Sequence, residues 1–211
     1  AASITGRQPG PTPPGENAQA AIELSRTLGD RLVPTLLGSI GKVDRLLANI
    51  TDNDWETLVS HGGDGVMPLR LYINSVSRGV GVHGWDLRGG VDKRAELGGD
   101  CVPALVDSID NWLRRGFCPN PTSVSVDLLR FRFRLVGAVI GDTDVVVSGD
   151  DFTVEPGGVS NPNIVYQLDA GDFVLMVYGR LSSTEAQLQG RLTVEGNVEL
   201  LERFDAYFSL G

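Results

Sequence analysis

Leu129-Arg-Phe-Arg-Phe-Arg-Leu135 alternates apolar and basic side chains without a break. Successive side chains of a strand point to opposite faces, so the three arginines fall on one face and the leucines and phenylalanines on the other. A helix would scatter the same residues around its axis. The segment therefore reads as a half-buried strand, and it marks a change of period along the chain. Before it, apolar residues recur every three or four positions. After it, short apolar runs are separated by Gly, Asp, Asn and Pro. Further strands are expected at Asp144–Val147, Phe152–Glu155 and Ile164–Leu168. Asp169 is placed to cap a helix carrying Phe173, Met176 and Val177. A polar loop follows that helix, and Leu200, Leu201, Phe204 and Phe208 mark a closing one. Residues 120–211 thus read as a small α+β domain, a sheet with helices against one face.

Residues 16–119 read as helices. Ala18, Ala21, Ile22, Leu24 and Leu28 share one face up to Gly29-Asp30. Leu36, Leu37, Ile40, Val43, Leu46 and Leu47 recur at helical spacing between Leu32 and Ile50, with Pro34 in the first turn, where no amide donor is needed. Thr51 or Asp52 is placed to cap a short helix, Asp54 to Val59, carrying Trp55. Ser60-His-Gly-Gly-Asp-Gly65 is a glycine-rich loop. A long helix follows, with Leu69, Leu71, Ile73, Val76, Val80, Val82 and His83. Gly79 and Gly81 lie inside it, each about 1 kcal/mol less favourable there than alanine, which points to close packing or a kink. A last helix, Cys101 to Phe117, places Leu105, Ile109, Leu113 and Phe117 on one side, and Pro119 and Pro121 stop it. The expectation is an all-helical, bundle-like first domain. Residues 1–15 hold four prolines and three glycines and read as a loop or linker.

Charge narrows the function classes. Residues 1–119 carry 12 basic and 14 acidic side chains, net −2, whereas residues 120–211 carry 6 and 13, net −7. Phosphate backbones would repel such a chain, and no basic stripe offsets this, so nucleic acid is not an expected partner. No apolar run approaches the roughly 20 residues of a membrane span. The first residues lack the basic and apolar regions of a signal peptide, so a cytoplasmic location is expected. Cys101 and Cys118 flank one expected helix, about 25 Å apart along its axis, and read as free thiols.

Few residues suggest chemistry. His83 is one of two histidines and stands beside Trp85 and Asp86. A divalent metal site needs at least three donors of fixed geometry. The natural second donor on a helix lies one turn back, and that position is Gly79. The other histidine, His61, sits in the glycine-rich loop. Asp86 is placed to orient His83, and Asp64 with Asp86 is a candidate acid–base pair set against two solvated aspartates. Arg114 and Arg115 suit a solvated helix C-terminus. Arg130, Arg132 and Arg134 bind an anion if their face lines a cleft, and otherwise pair with nearby acids.

Two stretches resemble one known arrangement. Met67-Pro-Leu-Arg-Leu-Tyr72, Arg78 and Val82-His-Gly-Trp-Asp-Leu-Arg88 are similar to a signature of the mycothiol-dependent maleylpyruvate isomerase family. Asp172-Phe-Val-Leu-Met-Val-Tyr-Gly-Arg-Leu181, with Leu192-Thr-Val-Glu-Gly-Asn197, is similar to the end of the sterol-carrier-protein-like domain that accompanies it. The resemblance implies a DinB-like helical bundle at 16–119, lacking its first helix, and a sterol-carrier-like domain at 120–211. It also implies a divalent metal, commonly zinc, held by an early histidine and by a glutamate and histidine one turn apart. His83 matches the second histidine, Gly79 stands at the glutamate position, and His61 does not align with the first. A protein of this kind would use a metal-bound thiolate, with mycothiol as cofactor, on a small electrophilic substrate, in an isomerisation or a transfer. The alternative is a non-catalytic relative that binds an apolar or lipid-like ligand in a groove lined by Phe173, Tyr178, Phe204, Tyr207 and Phe208. Those residues also suit a plain core.

Overall fold

The computed structural model describes residues 16–61, 65–92, 94–119, 128–158 and 160–208. The loop expected at residues 1–15 lies outside them. The chain divides into two compact units, Ala1–Val76 and Ser77–Gly211.

The first unit opens with α1 (Glu16–Leu28), a 3-10 turn at Gly29–Arg31 and α2 (Leu32–Leu47). Gly29, at φ +49°, turns the chain between the two helices. No residue of α2 is buried. The unit is not all-helical. Asp54 accepts bonds from the Thr51 amide and hydroxyl, at 2.8 and 2.7 Å, and closes a turn where a short helix was expected. Strand β1 (Leu58–His61) then pairs antiparallel with β2 (Gly65–Pro68), Val59 facing Met67. Two short runs flanking a glycine-rich segment are a hairpin signal that outweighs the weak helical period of residues 54–59. Helix α3 (Leu69–Gly89) begins in this unit and ends in the next.

The second unit contains the rest of α3, then α4 (Val102–Asp107) and α5 (Ile109–Gly116). These replace the single helix expected from Cys101 to Phe117. The break falls at Ser108, whose hydroxyl donates to the Leu105 carbonyl at 2.9 Å and competes with the helical ladder. Leu105, Ile109 and Leu113 remain on one buried side across the break.

The sheet is formed by β3 (Leu129–Val136), β4 (Gly141–Ser148), β5 (Asp151–Pro156), β6 (Ile164–Asp169) and β7 (Leu192–Gly196), in the order β5-β4-β3-β6-β7. Strand β3 runs antiparallel to β4 and parallel to β6. Asp169 caps α6 (Ala170–Val177), as the sequence predicts, accepting from the Gly171 amide at 2.8 Å. The polar stretch after α6 is not all loop. Ser182 accepts from the Glu185 amide at 3.1 Å and starts α7 (Ser183–Leu188). The chain closes through a 3-10 turn (Val198–Leu200) and α8 (Leu201–Tyr207).

The two sheet faces differ as the alternation in β3 requires. Phe131, Phe133 and Leu135 turn inward with Val145, Val147, Phe152, Ile164, Tyr166 and Leu168. Burying each phenylalanine stabilises the fold by about 2 kcal/mol. The opposite face carries Arg130, Arg132 and Arg134. Asp144 is fully buried there, accepting from Arg130 at 2.9 Å and from Arg132 at 2.7 and 2.8 Å. Arg130 also donates to Glu155 at 2.9 Å, and Arg132 to the Ser160 carbonyl at 2.7 Å. Of the two expected fates for these arginines, pairing with acids is the one observed. Burial pushes the Asp144 carboxyl upward, but the bonds from Arg132 and Arg130 outweigh it and hold it below the usual range.

Candidate functional site

Between the inner sheet face and helices α6 and α8 lies a layer of aromatic rings. Phe133 is at its centre, with ring centres 4.9 Å from Tyr166, 4.6 Å from Phe173 and 4.8 Å from Phe204. Phe208 extends the layer from Phe204, at 4.9 Å, to Phe152, at 5.1 Å. Strands supply Phe131, Phe133, Tyr166 and Phe152 by alternation, whereas α6 and α8 supply Phe173 and Phe204 from their buried sides. Of the five residues expected to line an apolar groove, Phe173, Phe204, Tyr207 and Phe208 belong to this layer. Tyr178 stands apart against Trp112, at 4.2 Å. Its hydroxyl is buried and has no hydrogen-bond partner among the described residues. Burial pushes the phenol up to about 12. Arg78, Ser108, Arg115 and Trp112 oppose that rise.

Helix α8 is fastened by a few polar bonds. Tyr166 donates to the Leu201 carbonyl at 2.9 Å. Asp205 accepts from the amide and the hydroxyl of Ser183, both at 2.8 Å. Burial pushes the Asp205 carboxyl up, against the lowering influence of those two bonds. The Cys118 amide donates to the Tyr207 carbonyl at 2.7 Å.

A polar groove of about 520 Å³ lies at the N-terminal end of α6. Its wall includes a two-point ion pair between Arg191 and Asp172, both side chains nearly buried. Arg94, Glu96 and Asp169 also line it, with Leu97 and Val102 as its apolar part. Sequence reasoning did not find this groove, since its residues come from four separate stretches of chain. Asp172 and Arg191 are 19 positions apart.

His83 is exposed on α3, and its Nδ1 lies 3.1 Å from Asp86 Oδ2. Asp86 orients it, as the sequence suggests, but is itself held by Arg180, whose Nε and Nη2 approach at 3.1 and 3.3 Å. Asp86 is thus the ligand-type group bonded to His83 among the described residues, and a guanidinium already occupies it. Among the described residues no group of three or more His, Cys, Asp or Glu stands together as a metal site would need. Asp64 lies outside the described residues, as does the side chain of His61. Cys101 and Cys118 are free thiols. Arg114 pairs with Asp110 at 2.9 Å, and Arg115 stacks over Trp112. The two helical glycines separate: a side chain at Gly81 would meet Cys101 Sγ at 2.5 Å, whereas Gly79 has nothing within 4 Å.

This aromatic layer enclosed by a five-stranded sheet and short helices is the setting for the comparison with known proteins. Residues 129–209 match the SCP-2 sterol transfer family. No curated protein matches the chain. Among solved structures, the UbiJ-SCP2 ubiquinone synthesis protein is 16% identical, with 51% of this chain covering 96% of that one at a TM-score of 0.41. Sterol carrier protein 2 from Yarrowia lipolytica is 18% identical, with 54% of this chain covering 97% of that one at 0.35. A double mutant of the sec-alkyl sulfatase PisA1 is 14% identical at 0.40, and the match takes in 48% of this chain and 16% of the sulfatase's length. These likenesses carry no functional weight, and the assignment of residues 129–209 rests on the family match.

Proposed function

We propose that the C-terminal domain binds a small apolar or lipid-like molecule without catalysing a reaction on it. The observation that carries this reading is the aromatic layer between sheet and helices, within the residues that match the SCP-2 sterol transfer family. An apolar chain gains by leaving water in proportion to the area it buries. Phe204 and Phe208 come from the closing segment, and a ligand enters by displacing them from Phe133 and Phe152.

The metal- and thiol-dependent reading has less support. His83 supplies one donor, Gly79 none, and Asp86 is engaged by Arg180.

Titration with cis-parinaric acid, followed by its fluorescence, tests the binding reading. The expected result is saturable one-site binding, with Kd on the order of micromolar, reversed by palmitate. Absence of saturable binding to palmitate and to a sterol alike would overturn it.

A further inference from the structure

We propose that the apolar side of α2 is an interface with a second copy of this chain. Helix α2 presents Val33, Leu36, Ile40, Val43 and Leu47 at alternating steps of three and four residues. That repeat is the seam along which one helix packs against another of its kind. Val33, Leu36, Ile40 and Val43 are nevertheless 62%, 57%, 51% and 50% exposed, and no residue of α2 is buried. Leu32, Leu37 and Leu46 widen the stripe and are exposed as well. Thr35, Gly38, Lys42 and Arg45 fall on the far side, so the apolar residues are gathered on one side of the helix.

Seam order, area and charge select a second copy as the occupant. Val33 and Ile40 hold one set of seam positions, with Leu36 between them at the other. β-Branched residues at the first set with leucine at the second favour two parallel strands. Two such helices set Ile40 against its counterpart. The exposed parts of these seven side chains offer about 200–450 Å² of apolar area per copy, at about 60–120 Å² for each whole side chain. An interface about two-thirds apolar then totals roughly 600–1,400 Å² for the pair. That range brackets the minimum of about 1,000 Å² for a specific interface, so the dimer should be a reversible one. Residues 16–47 carry four basic and four acidic side chains, and no net charge holds two copies apart. The same balance, with no Phe, Trp or Tyr in the stretch, disfavours a bilayer surface. Helices that lie on bilayers carry a basic polar face and aromatic anchors.

Sedimentation equilibrium of the full chain between about 1 and 200 micromolar tests this. The expected result is a dimer with Kd on the order of 10 micromolar. Ile40→Lys and Ile40→Glu should each weaken it about tenfold or more, because like charges then face each other in the seam. An equimolar mixture of the two variants should associate about tenfold tighter than either alone, which a variant that had merely lost its fold could not do. Lys42→Glu, on the far side, should leave the dimer unchanged. A chain that stays monomeric throughout, a dimer indifferent to both Ile40 variants, or a mixture no tighter than its components would overturn the proposal. A monomer that co-sediments with phosphatidylcholine vesicles, and no longer does so as Ile40→Lys, would overturn it in favour of a bilayer.

Discussion

Arg180 and Asp86 lie 94 positions apart and meet through two bonds, Nε to Oδ1 at 3.1 Å and Nη2 to Oδ2 at 3.3 Å. The pair ties α3 to the turn after α6 within the second unit. Arg180 also donates to the Tyr178 carbonyl at 2.7 Å, so one guanidinium binds two points of the chain. The bonds from Arg180, ahead of the contact with His83, hold the Asp86 carboxyl below its ordinary value of 3.8. The unfolded chain then binds that proton more tightly than the folded one. The pair's contribution is complete above the ordinary value and is lost as pH falls below it. Both side chains are one-third exposed, so Arg180→Gln should destabilise by about 1 kcal/mol or less. In urea denaturation at pH 7 and pH 3, the difference between wild type and variant should shrink at the lower pH.

Asp144 is the opposite case, a carboxylate with no exposure held between two nearly buried arginines. Asp144→Ala would leave Arg130 and Arg132 charged, with the Ser160 carbonyl as the remaining bonded partner of Arg132 among the described residues. A loss of about 3 kcal/mol or more is expected in chemical denaturation. A loss under about 1 kcal/mol would mean that water reaches this face.

The two glycines of α3 should respond with opposite signs. Gly79→Ala meets nothing and removes backbone freedom from the unfolded chain, so stability should rise by about 0.5–1 kcal/mol. Gly81→Ala drives a methyl group against Cys101 and should destabilise by about 1–3 kcal/mol. Thermal unfolding of both variants distinguishes packing at Gly81 from a kink at either site.

Asp205 predicts a pH dependence that runs against that of Asp86. Burial raises its carboxyl above the ordinary value of 3.8. Its contribution is therefore present below that value and declines as pH rises through the raised one. The stability difference between wild type and Asp205→Asn should shift in favour of the variant as pH is taken from below about 4 toward neutrality. A difference that does not vary with pH would show that Asp205 remains solvated.

What could be read from the sequence was local. The alternation in β3 and the Asp169 cap each depend on residues within a few positions, and both appear as expected. The start of α7 was equally local, since Ser182 and Glu185 have the spacing of a capping pair. The break at Ser108 was hidden because Leu105, Ile109 and Leu113 keep helical spacing through it. The candidate site was less legible. Arg180 gives no local sign of its bond to Asp86, and the groove is assembled from separate stretches. The aromatic residues were visible individually, but which of them touch depends on strand order.

The alternation in β3 also governs how the sheet can be misassembled. If β3 slipped by one position against β4 or β6, Arg130, Arg132 and Arg134 would enter the aromatic layer, and Phe131 and Phe133 would emerge among acids. Three charges without partners would make that arrangement far less stable than the native one. The arginine ladder thus works as a proofreading device. At the native register its charges are paired, and in the neighbouring registers they would have no partner.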